Sequence, residues 1–215
     1  MKYSLSSLCE YRKGKVNVDV LNKDTYISTE NMLPNKGGVV QAASLPTTLQ
    51  TQEYKKGDVL VSNIRPYFKK IWQAEYDGGC SNDVLVFKAN ESTDKVFLYY
   101  VLADDAFFNY AIATSKGTKM PRGDKTAIMQ YGVPHYDIAK QKKIAYILRM
   151  LDKKIEFNNK INNNFVSHSS KVQRTAKQHT HTPQSAKYMH SNVIEYATNC
   201  DNKKSVKCFS NQLAA

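Results

Sequence analysis

The chain lacks the marks of several large protein classes. No run of 18 apolar residues occurs, so no membrane span or membrane partner is expected; the best run, Phe97 to Ala103, stops at Asp104-Asp105. Met1-Lys2-Tyr3-Ser4 carries no apolar signal core, which favours the cytoplasm over secretion. The four cysteines, at 9, 80, 200 and 208, form no CxxC pair, so a reduced protein is expected rather than a disulfide scaffold. The phosphate loop GxxxxGK followed by Ser or Thr is missing, as are GxGxxG after a strand, N-P-P or D-P-P before an aromatic residue, GxSxG and HExxH. The expectation is a chain without ATP hydrolysis, adenine methylation or a cofactor of its own.

What is present in excess is positive charge. Lysine and arginine number 31 against 19 acids, for a net charge of +12. Such a balance favours a polyanionic partner, nucleic acid first and an anionic membrane surface second. An apolar share of 41% is enough for a true core.

Composition divides the 215 residues into three zones: 1–134, 137–165 and 166–215. The first mixes short β-like runs with glycine-marked turns. Val16, Val18 and Val20 alternate with polar residues; Val59-Leu60-Val61 follows Gly57-Asp58; Ile71, Trp72 and Ala74 form a further run; Val84 to Phe87 is the strongest strand candidate. Phe97, Leu98, Val101, Leu102 and Phe108 fall at helical spacing, with Gly117 beyond them, and Ile128 to Val133 reads as a last strand. The fold class is therefore α+β: a mixed domain, then a long helix of coiled-coil type, then a mostly irregular tail.

The second zone has neither glycine nor proline, and Asp137 can cap it. Ile144, Leu148, Leu151, Ile155, Asn158, Asn162 and Phe165 are spaced 4, 3, 4, 3, 4, 3, a heptad seam that turns from apolar to asparagine-bearing. A helix with so narrow a stripe takes either a second helix along the stripe or its own domain. The third zone, from Val166, holds four of the five histidines and no leucine before Leu213; it is expected to be largely disordered. His179, His181, His190, Cys200 and Cys208 match no standard zinc spacing, so no metal is expected there.

Three clusters suit DNA. Arg65-Pro66-Tyr67-Phe68-Lys69-Lys70 combines guanidinium, ammonium and aromatic groups; arginine can bridge guanine O6 and N7, and lysine can meet phosphate. The segment 116–125 brings Lys116, Thr118, Lys119, Arg122 and Lys125 into a glycine-bearing loop. Ser81 and Asn82 offer short hydrogen-bonding side chains at a turn. Each alone reads as a solvated loop; three on one basic domain favour DNA. A rival reading is a metal-dependent nuclease built on Glu53-Tyr54-Lys55, which needs a second carboxylate nearby.

The order of segments then carries a resemblance. Tyr26 to Asn31, Lys56 to Pro66, Gly79 to Phe87, Gly117-Thr118 with Met120-Pro121, and Gly132-Val133-Pro134 lead into Gln141 to Glu156. That last stretch fits the pattern Q-x-x-I-A-x-I-L-x-x-L-D. Over residues 1–165 the chain resembles the specificity subunit of type I restriction–modification enzymes. The resemblance implies a target-recognition domain over 1–134 and a conserved spacer or dimerisation helix over 137–165. It implies a non-catalytic subunit that reads one half of a split double-stranded DNA site and docks methyltransferase and restriction subunits. Family members continue into a second recognition domain, so the chain is expected to be a truncated half-subunit whose tail, 166–215, is out-of-frame or recombined. It would then act as a homodimer through its helix, or be a fragment without function.

Overall fold

A computed structural model describes residues 2–178, with side chains described for 3–162. The candidate ligands His179, His181, His190, Cys200 and Cys208 lie outside the described residues. The chain divides into two compact units, 1–152 and 153–215.

Ten short strands and four helices make up the described part. The strands are β1 (Lys2–Ser4), β2 (Cys9–Tyr11), β3 (Lys15–Asn17), β4 (Tyr26–Ile27), β5 (Gln50–Tyr54), β6 (Val59–Ser62), β7 (Ile71–Gln73), β8 (Gly78–Cys80), β9 (Val84–Ala89) and β10 (Gly132–Pro134). The helices are α1 (Lys95–Ala103), α2 (Asp105–Ala113), α3 (Lys125–Met129) and α4 (Ile138–Gln178). One antiparallel sheet has the order β2-β9-β6-β7; a second has the order β3-β5-β8-β4, with β4 parallel to β8. A third, two-stranded ladder pairs β1 with β10.

The sequence of the central strands explains the layering. Val59-Leu60-Val61 and Val84 to Phe87 do not alternate, because both faces of their sheet are covered. Val59, Val61, Leu85 and Phe87 turn toward a core shared with Phe97, Leu98, Leu102, Phe107 and Phe108 of α1 and α2. Leu60, Val84 and Val86 turn the other way, onto Ile27, Tyr54 and Cys80 of the second sheet and onto Met32. Strand register puts Val61 opposite Leu85 and Val59 opposite Phe87, so one face is apolar on both strands.

Aspartates set the helix starts. Asp94 accepts the amides of Val96 and Phe97, Asp124 those of Thr126 and Ala127, and Asp137 that of Lys140. The single helix expected around residues 97–108 is two helices bent by 60°, because Asp104 caps a new start by accepting the Ala106 amide. Ile128 belongs to α3 rather than to a last strand, for the same reason: Asp124 starts a helix there. Val18–Val20 is a 3-10 turn, and the strand expected through it ends at Asn17. The long helix does not stop at Phe165. It continues to Gln178, thirteen residues into the zone expected to be irregular. No single described helix is long and apolar enough to cross a membrane.

Candidate nucleic-acid interface

The three clusters, far apart in sequence, meet where β6 ends. The Asn63 amide donates to the Asp83 carbonyl at 2.8 Å, and the Gly123 amide donates to the Asn63 carbonyl at 3.1 Å. The Arg65 amide donates to the Pro121 carbonyl at 2.8 Å, and Ile64 forms a bridge with Arg122. Asn63 thus ties the loop after β6 to both the turn before β9 and the basic 116–125 loop. The junction is tight: a Cβ on Gly123 would stand 2.8 Å from Ile128 Cδ1 and 2.9 Å from Asn63 Oδ1.

A fourth loop joins them. The amides of Asn35 and Lys36 donate to the carbonyls of Phe68 and Lys69 at 2.8 and 2.9 Å. Asn35, Lys36, Arg65 and Lys69 all adopt left-handed backbone, with φ between 50° and 62°. Such a conformation is costly for residues with a Cβ and persists only where neighbours enforce it. Here the two loops enforce it on each other. Pro66 is buried and anchors the turn; it leaves Tyr67 and Phe68 exposed, their ring centroids 4.7 Å apart. Lys70 Nζ lies 5.7 Å from the Phe68 ring and donates to the Thr29 carbonyl at 2.6 Å. Lys36 was not among the residues singled out from the sequence; its only signal was the Gly37-Gly38 turn behind it.

The cations are unevenly paired. Lys36 and Lys69 share Asp105, at 2.8 and 3.0 Å, and their ammonium groups hold its carboxyl below the usual range. Arg122 meets Asp83 at 3.2 Å. Lys116 meets Asp124 at 2.6 Å, and that pair, before the backbone amides, lowers the Asp124 pKa. Arg65, Lys119 and Lys125 are exposed and have no ion pair among the described residues. Thr118 and Asn82 are exposed too, whereas the Ser81 hydroxyl is used locally, accepting the Asp83 amide at 3.3 Å. Asn82 and Lys125 border a cavity of about 220 Å³ with Tyr11, Arg12 and Gln52.

Glu53 and Lys55 have other surroundings. Arg12 grips Asp58 through both Nε and Nη2 and stands 3.6 Å from Glu53. Lys55 lies 3.8 Å from Glu53 and 3.4 Å from Asp77. Two cations therefore neutralise the carboxylates that a metal ion would need, and no metal-holding group of three His, Cys, Asp or Glu occurs among the described residues.

Residues 1–165 match the family described as the type I restriction modification DNA specificity domain. The chain belongs to that family. It is 26% identical over 127 residues to the type I restriction enzyme EcoDI specificity subunit of Escherichia coli, a match covering 55% of this chain and 28% of that protein. Its fold is similar to that of the HsdS subunit from Thermoanaerobacter tengcongensis, with a TM-score of 0.59 at 18% identity, covering 82% of this chain and 48% of that one. The S subunit from M. genitalium matches with a TM-score of 0.51 at 17% identity, covering 73% of this chain and 40% of that one. The chain thus spans less than half the length of these relatives, and it carries one recognition domain of the type I specificity class.

In this specificity-domain chain the opening turns of α4 are attached to the chain's own core. Gln141 is buried: its Oε1 accepts the Asp94 amide at 2.9 Å, while its Nε2 donates to the carbonyls of Tyr136 and Ser92 at 2.8 and 3.3 Å. Ala145 is buried beside it, and Asp152 accepts the Tyr100 hydroxyl at 2.6 Å. Of the expected seam, Ile144 packs against the core and Leu148 is half-buried, so these two positions serve the domain. Leu151, Ile155, Asn158 and Asn162 are exposed, and the Phe165 side chain lies outside the described residues. Ile147, Met150 and Leu151 of the first unit are exposed, as are Phe157 and Ile161 of the second; of these only Leu151 belongs to the heptad seam.

Proposed function

We propose that the chain is the non-catalytic address reader of a type I restriction–modification complex, acting on double-stranded DNA in the cytoplasm. The observation that carries this reading is the convergence of loops 63–70, 81–83 and 116–124 on Asn63, which gathers dispersed cations into one basic face. Arg65 is the candidate base reader; Lys119 and Lys125 are candidates for phosphate. Methyltransferase and restriction subunits supply the chemistry, and α4 is where they and a second copy of this chain dock. Exposed Ile147, Met150 and Leu151, one turn apart on α4, support that docking role, because such a cluster stays in water until another surface covers it. Two copies paired through α4 would read a symmetric split site, one half each.

Selection of bound duplexes from a random DNA library by the purified full chain tests the reading. Enrichment of one short motif is the expected result. Equal retention of all sequences, or cleavage of the library in Mg²⁺ without added subunits, would overturn it. Sedimentation at micromolar concentration tests the pairing, and a strict monomer contradicts it.

A further inference from the structure

Four cations of the basic face are held by three aspartates; Asp124 also caps α3, but the carboxylates of Asp105 and Asp83 cap no helix. Asp105 shows this best. The first turn of α2 is already capped by Asp104, whose carboxylate accepts the Ala106 amide at 2.9 Å. The two oxygens of Asp105 are therefore not needed there. One takes Lys36 from the 33–38 loop and the other takes Lys69 from the 65–70 loop. Asp83 likewise turns both carboxylate oxygens to Arg122, at 3.2 and 3.5 Å. The Lys36–Asp105 and Arg122–Asp83 pairs are solvent-exposed, the class of ion pair that contributes least to stability, and Lys69 is half-buried against the exposed Asp105. A carboxylate so placed competes with a DNA phosphate for the same cation.

We propose that Asp105 and Asp83 act as built-in phosphate competitors that hold Lys36, Lys69 and Arg122 off the backbone of unrelated DNA and so sharpen sequence discrimination. The proposal rests on the DNA-reading function above. Non-specific affinity is set by how many phosphates a protein neutralises, because each contact releases condensed counterions. A cation already paired with aspartate releases fewer. A correct sequence adds base contacts that can displace the aspartates; an unrelated sequence adds none, and the cations stay tethered. The face thus keeps its positive side chains where a true target needs them while presenting a smaller net charge to every other sequence.

Binding of the full-length chain to a 20-base-pair duplex of unrelated sequence, measured over a range of salt concentrations, tests this. The slope of log affinity against log salt should steepen by about 1.8 in Asp105→Asn, which frees two cations, and by about 0.9 in Asp83→Asn, which frees one. The preference for the library-selected duplex over the unrelated one should fall roughly tenfold in Asp105→Asn. Lys36→Gln added to Asp105→Asn should restore about half of the change in slope, which a merely misfolded loop would not do. Glu10→Gln is the control: it removes a carboxylate paired with Lys88 at 2.9 Å between two strands, away from the loops, and should leave the slope as it was. If the unmodified chain selects a sequence but both aspartate variants keep its slope, the competitor role is wrong and DNA reading stands. An equal steepening in Glu10→Gln also overturns it, because charge at any position would then suffice. If the unmodified chain binds no duplex, both readings fall.

Discussion

The Arg65 amide donates to the Pro121 carbonyl at 2.8 Å, joining by one backbone bond two basic loops that lie some 55 residues apart in the chain. Arg65 is held there at φ 50°, so its exposed guanidinium is presented from a backbone conformation that its neighbours impose.

Arg65→Gly separates these two properties. Glycine accepts left-handed backbone without strain, and its relief of about 1 kcal/mol is largely cancelled by the entropy glycine loses on folding. Thermal stability should stay within about 0.5 kcal/mol of the parent. Discrimination of the selected duplex should nonetheless fall by about 1–3 kcal/mol at one base position. Binding titrations against single-base variants of that duplex check this.

Gln141→Ala removes three hydrogen bonds: two fasten the first turn of α4 to the segment before α1, and the third holds the Tyr136 carbonyl just ahead of the helix. It leaves the Asp94 amide and the Ser92 and Tyr136 carbonyls without that partner. The expected loss is about 2–3 kcal/mol, seen as a lower midpoint in urea. A midpoint unchanged from the parent would mean that water replaces the amide at no cost.

Gly78→Ala should be worse than a typical surface change. Gly78 lies opposite Tyr54 in the β5–β8 ladder. A Cβ there would run into the Thr25 carbonyl oxygen, which is backbone and cannot swing away, and would stand 2.5 Å from the Tyr54 hydroxyl. Overpacking of this kind costs about 1–3 kcal/mol or more, and hydrogen exchange at β5 and β8 should accelerate.

Cys9 and Cys80 are buried, and burial pushes both thiols up to about 12. Only a thiolate reacts readily. With Cys200 and Cys208 replaced by serine, the native chain should resist a thiol reagent at neutral pH and react fully once unfolded. Keeping these thiols neutral favours the fold completely below the ordinary value of 9.0; that contribution is lost as pH rises from there toward 12. Unfolding curves measured at pH 8 and pH 11 should show it.

Much of the framework was legible. Val59 to Val61 and Val84 to Phe87 are strands because their uninterrupted apolar runs are covered on both faces, and Asp137 caps the long helix as its position before an apolar-periodic run suggested. The basic clusters were legible one by one. Their meeting at Asn63 was not, since nothing local in Asn63 shows that its amide and carbonyl will bond segments at 83 and 123. Lys36 was missed because its partner, Asp105, lies 69 residues away. The heptad spacing of α4 left open whether its stripe meets a second helix or the chain's own domain; the packing of Ile144, beside buried Gln141 and Ala145, decides this for the first turns alone. The helix extends beyond Phe165 through residues with no apolar period, since continuation adds one backbone hydrogen bond per residue once a helix is started.

The ladder that aligns Lys2 with Pro134 and Ser4 with Gly132 brings the two ends of the segment 2–134 to one place, just ahead of α4. A foreign segment spliced between those two strands would arrive with its ends already side by side, leaving the rod downstream undisturbed. Exchange of the segment between that pair of strands would therefore replace every loop of the basic face while leaving α4 as it stands.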